Sequence, residues 1–252
     1  MTILNMARRQ ARKWGLECTR ADEWSLWNLR LRRYLEQHEI KTVLDVGAND
    51  GGYATELLQS GWRGKILSFE PLPEVQQRLE EKASRHEHWS IAPPAALSDR
   101  TGKATFHETG NSYSSSLLQP TDSHLGAAPD SGVIRSIEVD TIRLDDFLET
   151  IAPDRFFLKL DVQGAEALVL AGATEALRRS VMGVQMELSL VELYQDQRPS
   201  KELEAMLHDL GFRCWDILPG FRNPDTMRLL QYDGIYFRGC RIERRSVDRP
   251  GP

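Results

Sequence analysis

The residues of this chain best suited to chemistry are acids that close apolar runs. Glu70 ends the run Lys65 to Phe69, Asp161 ends Phe156-Phe157-Leu158-Lys159-Leu160, and Glu187 ends Val181 to Met186. In an open parallel sheet the ligand crevice lies beyond the carboxyl ends of the strands, so a strand-end acid stands where a ligand-holding or reacting group belongs. Glu70 is placed to accept hydrogen bonds from ribose hydroxyls. Asp161 is the first candidate for a general base or acceptor-positioning group. Lys159 shares its face by the period of two; it can pair with Asp161 or Glu166, or stabilise a developing alkoxide. Asp161 and Glu187 could also share a divalent ion, although no motif demands a metal. His107 and His124, in a long irregular stretch, are weaker candidates for the base.

These acids need a scaffold, and Thr42 to Tyr53 supplies its centre. Thr42 to Val46 is a short β-branched run of buried-strand type, and Gly47, Gly51 and Gly52 then force a sharp turn into a helix, Tyr53 to Ser60, that Gly61 stops. Strand, glycine turn and helix N-terminus make a nucleotide-binding edge, with free N–H groups expected to face the ligand. The glycine spacing is not the G-x-G-x-x-G of a pyrophosphate site, and Asp45 and Asp50 in the turn would repel phosphates. They suit a ligand carrying an ammonium and a sulfonium. S-adenosylmethionine is such a ligand: Glu70 would take its ribose, and the turn, with Asp45, Gly47, Ala48, Asn49 and Gly51, its amino-acid end. A nicotinamide-dependent oxidoreductase is the rival reading, weakened by the missing glycine pattern. A non-catalytic nucleotide-binding or scaffold protein would need no ordered acids at the crevice.

Five motifs recur in order: Asp45-Val46-Gly47-Ala48-Asn49-Asp50-Gly51, Ser68-Phe69-Glu70-Pro71, Ala96-Leu97-Ser98-Asp99, Leu144-Asp145-Asp146-Phe147 and Lys159-Leu160-Asp161-Val162-Gln163-Gly164-Ala165-Glu166. On these the chain, from Lys41 to Arg238, resembles the FkbM family of S-adenosylmethionine-dependent methyltransferases. The resemblance implies a class I methyltransferase fold: a Rossmann-like three-layer αβα sandwich around a mostly parallel seven-stranded sheet, order 3-2-1-4-5-7-6. It also implies O-methylation of a hydroxyl on a sugar, glycan or secondary metabolite. Ser98 and Asp99 become candidate adenine contacts, and Ser115-Ser116-Leu117 resembles a step that recurs in the family.

The remaining chain fills in around this scaffold. Trp27, Leu31, Tyr34 and Leu35, with Trp24, recur at helical spacing from Asp22 to His38, so residues 1–40 read as a helical extension that packs on the sheet or lids the cofactor site. Residues 41–238 read as the methyltransferase domain. Pro71-Leu72-Pro73 opens a helix to about Arg85. Trp89 to Ala95 is a strand confined to an edge by Pro93 and Pro94, and the turn chemistry of Asp99 to Gly102 before Lys103 to Phe106 predicts a hairpin. His107 to Ser136 lacks periodicity and reads as a lid, a binding loop or disorder. Ser136 to Ile142 alternates as a strand, Leu144 to Thr150 is a short helix, and Ser200 and Gly211 bound a helix on Leu203, Met206, Leu207 and Leu210. Phe212 to Ile217 and Gly234 to Phe237 close the sheet as an antiparallel hairpin, since no crossover helix separates them.

Composition excludes several classes. The chain has 252 residues, a net charge of -5 and 40% hydrophobic residues, and a mean hydropathy of -0.45, which suit one globular α/β domain. No apolar run approaches a membrane span of about 20 residues. Cys18, Cys214 and Cys240 are odd in number and lack metal spacing, so a reducing cytoplasm is the expected compartment. Basic residues gather at both ends, Arg8, Arg9, Arg12 and Lys13 and then Arg238 to Arg249. The tail, 239–252, reads as solvated and disordered rather than as a nucleic-acid platform, since no aromatics interleave its arginines.

Overall fold

The computed structural model describes residues 13, 14 and 26–239. Trp24, Cys18, Cys240, the basic start before Lys13 and the tail beyond Gly239 lie outside the described residues.

The sheet grows from β1 (Thr42–Val46), every residue of which is buried. It pairs in parallel with β2 (Lys65–Phe69) on one side and β7 (Phe156–Leu160) on the other. The seven strands run β3-β2-β1-β7-β8-β10-β9, where β3 is Trp89–Ile91, β8 Val181–Ser189, β9 Phe212–Pro219 and β10 Gln231–Arg238. β10 is antiparallel to both β8 and β9, so the C-terminal hairpin and the expected strand order are both present. The prolines hold β3 to three residues at the edge, as their missing N–H donors require.

Alternation along β1 and β7 sends Val43 and Phe157 to one face of the sheet and Leu44 and Leu158 to the other. On the first face pack α1 (Trp27–Gln37), α2 (Gly52–Gln59) and α3 (Pro73–Ala83), through Leu31, Leu35, Ala54, Leu57 and Leu79. The extension helix is therefore core: Leu35 is fully buried, and Tyr34 and His38 stack in an aromatic group with Trp215 and Phe237. After a short helix α4 (Asp122–Ala127), the second face is covered by α5 (Leu144–Leu148), α6 (Glu166–Ala171), α7 (Thr174–Arg179) and α8 (Ser200–Asp209). Two helix stops fall where glycine permits a left-handed backbone, Gly61 at φ +94 and Gly211 at φ +88. Ser200 is the first residue of α8 and makes no capping bond; Pro199 holds the cap position.

Two expectations change. The hairpin across Asp99 to Gly102 does not form. β4 (Ala96–Leu97) and β5 (Gly102–Thr109) instead flank β6 (Val133–Ile142), parallel and antiparallel to it, in a separate three-stranded sheet. A local turn signal cannot compete with the eight paired positions that β6 offers β5. The irregular stretch from His107 to Ser136 is also ordered. It continues β5 to Thr109, makes a 3-10 turn at Ser112–Ser114, carries α4, and returns as β6. Local side-chain capping bonds help hold it, among them Thr121 accepting from the His124 N–H at 3.4 Å.

Candidate active site

The turn after β1 sets the floor of the site. Gly47 sits at φ +74, and a Cβ there would lie 1.9 Å from the Asp161 carbonyl oxygen. No other residue fits between the ends of β1 and β7. The expectation of free turn N–H groups is met only in part, because five of them are already bonded within the protein. Those of Gly47 and Ala48 both donate to the Phe69 carbonyl, that of Gly51 to the Ala48 carbonyl, that of Asn49 to Glu70 and that of Gly52 to Asp50. The turn offers shape and carboxylates more than donors.

Beneath it runs a polar row that strand register creates. Asp45 pairs with Ser68 across β1 and β2, Asp45 with Lys159 across β1 and β7, and Lys159 with Gln185 across β7 and β8. Ser68 Oγ donates to Asp45 Oδ2 at 3.0 Å and accepts the Trp89 indole N–H at 3.0 Å. Lys159 Nζ stands 3.1 Å from Asp45 Oδ1 and 3.6 Å from Asp161 Oδ2, donates to the Gly47 carbonyl at 3.2 Å, and lies 5.3 Å from the centre of the Tyr53 ring. Burial alone would depress this ammonium; Asp45 and then Asp161 outweigh it and hold the pKa above the usual lysine range. The main partner of Lys159 is thus Asp45. Glu166 does not pair with it; its Oε1 accepts the Val162 and Gly164 N–H groups, each at 3.3 Å.

Above the row opens a cleft. Gly47, Ala48, Asn49, Asp50, Glu70, Lys159 and Asp161 line it, so the structure brings together most of the residues singled out from sequence. Glu70 is 5% exposed and accepts the N–H groups of Asn49 at 3.0 Å and Leu72 at 2.9 Å. Burial pushes its carboxyl up to about 7 against the opposing pull of those bonds and of Lys159. Asp161 keeps 42% of its side chain exposed. Its Oδ1 accepts the Gln163 amide at 2.6 Å, and the same nitrogen reaches Glu187 Oε2 at 3.0 Å. Phe69, Leu72, Leu97 and Phe106 supply apolar walls.

Other candidates lie elsewhere. Asp45 is fully buried under the cleft, a structural anion of the turn rather than a ligand contact. Gly51 is not on the wall either; a Cβ there would strike Trp89 and Leu79. Ser98 and Asp99 border a separate hollow with Lys103 and His107, while Ala95, Ala96 and Leu97 reach the cleft in their place. The Gly172 backbone packs against the Ser98 carbonyl, which turns this strand end away. His107 shares its Nδ1 with Ser136 Oγ at 3.0 Å, outside the cleft. His124 is buried against Tyr194 and Phe221. The motif acid Asp145 caps α7, accepting the N–H groups of Glu175 at 3.1 Å and Ala176 at 2.9 Å.

Sequence reasoning missed Tyr53, Ser112, Tyr113 and Gln163, all on the cleft wall. Ser112 meets Asn49 at 3.3 Å, so the 3-10 turn closes over the glycine turn from above. Only Gln163, two residues past a strand-end acid, carried a signal that position alone could have raised. Ser115 and Leu117 do reach the cleft, and Ser116 Oγ donates to the Val162 carbonyl at 3.0 Å. Among the described residues no group of three or more His, Cys, Asp or Glu is arranged to hold a metal.

A glycine turn after β1, an acid ending β2, an acid ending the fourth parallel strand and a reversed β10 define a class I methyltransferase. The chain belongs to the methyltransferase FkbM domain family, whose pattern matches residues 45–214, and it is an S-adenosylmethionine-dependent methyltransferase. It is 32% identical over 187 residues to the 2-O-methyltransferase NoeI of Sinorhizobium fredii, covering 71% of each chain. It is 27% identical over 203 residues to the hexuronic acid methyltransferase AglP of Haloferax volcanii, covering 75% of this chain and 78% of that one. Among solved structures, Aeropyrum pernix fibrillarin with natively bound S-adenosyl-L-methionine aligns at a TM-score of 0.44 and 13% identity, over 78% of this chain and 66% of that one. Glu70, the apolar walls, Asp50 and Asp161 all face this one cleft, and Asp50 is paired with Lys82 at 3.0 Å.

Proposed function

We propose that this enzyme methylates a hydroxyl oxygen of a sugar or glycan, with Asp161 as the group that takes the hydroxyl proton. The observation that carries the reading is the half-exposed Asp161 carboxylate on the cleft wall at the end of β7, held by Lys159 and Gln163. The similarity to the 2-O-methyltransferase NoeI supports a hydroxyl oxygen, and that to the hexuronic acid methyltransferase AglP supports a sugar acceptor. Bound S-adenosylmethionine supplies a methyl carbon already activated by its sulfonium, so the protein has to position the acceptor and receive a proton. Glu70 accepts hydrogen bonds, Leu97 and Phe106 exclude water from the apolar end, and Lys159 braces the turn through Asp45 and the Gly47 carbonyl. Spent on these partners, Lys159 supports the field of the site rather than an alkoxide. The Gln163 amide already bridges Asp161 and Glu187, which disfavours a divalent ion shared by the two.

No helix among the described residues is long and apolar enough to cross a membrane. A small acceptor met in the cytoplasm suits a chain whose described cysteine, Cys214, is free. The test is transfer of labelled methyl from S-adenosylmethionine to a panel of neutral methyl glycosides, amino sugars and uronates, with the product mapped by mass spectrometry. An O-methylated sugar is the expected result. Transfer to an amine or carbon acceptor, with every hydroxyl untouched, would overturn the reading.

A further inference from the structure

The turn between β7 and α6 adopts a conformation that its sequence pays for. Gln163 has φ +55 and Gly164 φ +91, two left-handed residues in succession. Glycine takes that region freely and a glutamine does not. Gly164 has a steric reason, since a Cβ there would lie 2.8 Å from the Tyr194 side chain. Gln163 has none from packing. Its amide instead joins three groups: Nε2 donates to Asp161 Oδ1 at 2.6 Å and to Glu187 Oε2 at 3.0 Å, and Oε1 accepts the Tyr194 hydroxyl at 2.7 Å.

Tyr194 is a firm anchor. It is fully buried, its ring meets His124 edge-on at 4.9 Å, and its hydroxyl also lies 3.1 Å from the Ser114 carbonyl. With the amide oxygen taken by a phenol, the nitrogen must face the two carboxylates. The NH₂ group has two hydrogens and gives one to each acid, so a single amide holds both. Gln231 donates to the same Glu187 oxygen at 2.7 Å, holding that acid back from the cleft.

We propose that Gln163, fixed by Tyr194, is the positioning residue for Asp161, aiming its carboxylate at the acceptor hydroxyl and separating it from Glu187. This rests on the reading of Asp161 as the proton acceptor. Two variants test it. Gln163→Asn keeps a residue that tolerates the left-handed backbone but is one methylene too short to span Tyr194 and Asp161; Tyr194→Phe removes the anchor's hydroxyl alone. Crystal structures of both with S-adenosylhomocysteine should show the Asp161 carboxylate turned from its parent orientation. Methyl transfer to the glycoside that the acceptor panel identifies should lose about 10- to 100-fold in kcat. The KM for S-adenosylmethionine should stay within about twofold, and the acid limb of the rate profile should move to higher pH for Gln163→Asn. An unmoved Asp161, or a lower melting temperature with parent kcat and pH profile, overturns the proposal. Parent turnover in Asp161→Asn would sink the base reading instead, and the crystal structures would still decide whether Gln163 positions the carboxylate.

Discussion

Glu70 offers the most quantitative test of the cofactor site, because its protonation and its ligand role are linked. Burial raises its carboxyl from 4.5 to about 7, while Asn49, Leu72 and Lys159 pull the other way. A carboxylate accepts from both ribose hydroxyls and a carboxylic acid does so poorly, so the binding-competent form of the free enzyme is the ionised one. The apparent dissociation constant then scales with one plus the ratio of protonated to ionised Glu70. Between pH 8 and pH 6 affinity should weaken about tenfold, close to 1.4 kcal/mol. The folded protein alone moves oppositely: a carboxyl raised on folding contributes stability below 4.5 that drains away as pH rises through about 7. Calorimetric titration with S-adenosylmethionine from pH 6 to 8 reads the effect. Glu70→Gln is the control, because the amino group of the ligand titrates identically in both proteins and cancels. It should bind about 1.5 to 3 kcal/mol more weakly at pH 8, the worth of hydrogen bonds to a charged group, and lose the protein's share of the pH dependence. Parallel pH curves for the two proteins, or parent affinity in Glu70→Gln, would remove Glu70 from the ribose site.

Asp161→Asn should leave the S-adenosylhomocysteine affinity nearly unchanged and lower turnover by about 10² to 10⁴, the range of general base catalysis; parent turnover on an identified acceptor ends that assignment. Gly47→Ala should lose both cofactor binding and thermal stability, since its Cβ meets the Asp161 backbone at 1.9 Å; a normal melting curve would show that the two strand ends can separate. Lys159→Met leaves the fully buried Asp45 without its counter-charge and should cost about 3 to 5 kcal/mol by urea unfolding, against less than about 1 for a pair that water could replace. His38 is stacked on Phe237 at 4.0 Å, and burial, then the charge of Arg155, lowers its pKa from 6.5 to about 4. Its contribution to stability is complete above 6.5 and is lost as pH falls through about 4, so His38→Phe should flatten the decline of the urea midpoint over that window.

The layout of the fold was legible in the sequence because it rests on local physics. Apolar runs of strand length, the glycine turn at Gly47, the stops at Gly61 and Gly211, and the acids that close β2 and β7 all announce themselves within a few residues. With them came the cleft residues Gly47, Ala48, Asn49, Glu70, Lys159 and Asp161. What the tertiary structure alone decided is which of these groups meet. Lys159 pairs first with Asp45 because parallel register sets residue 45 opposite residue 159, and a register of one more residue would have put another side chain there. β5 passes over the turn signal at Asp99 because β6, some 30 residues away, offers a longer ladder. Ser98 and Asp99 leave the cleft because Gly172 lets a helix end close on the Ser98 carbonyl. Gln163 and Tyr194 come together from two different loops, and pairing between distant loops follows from how the layers pack, which no spacing along the chain encodes.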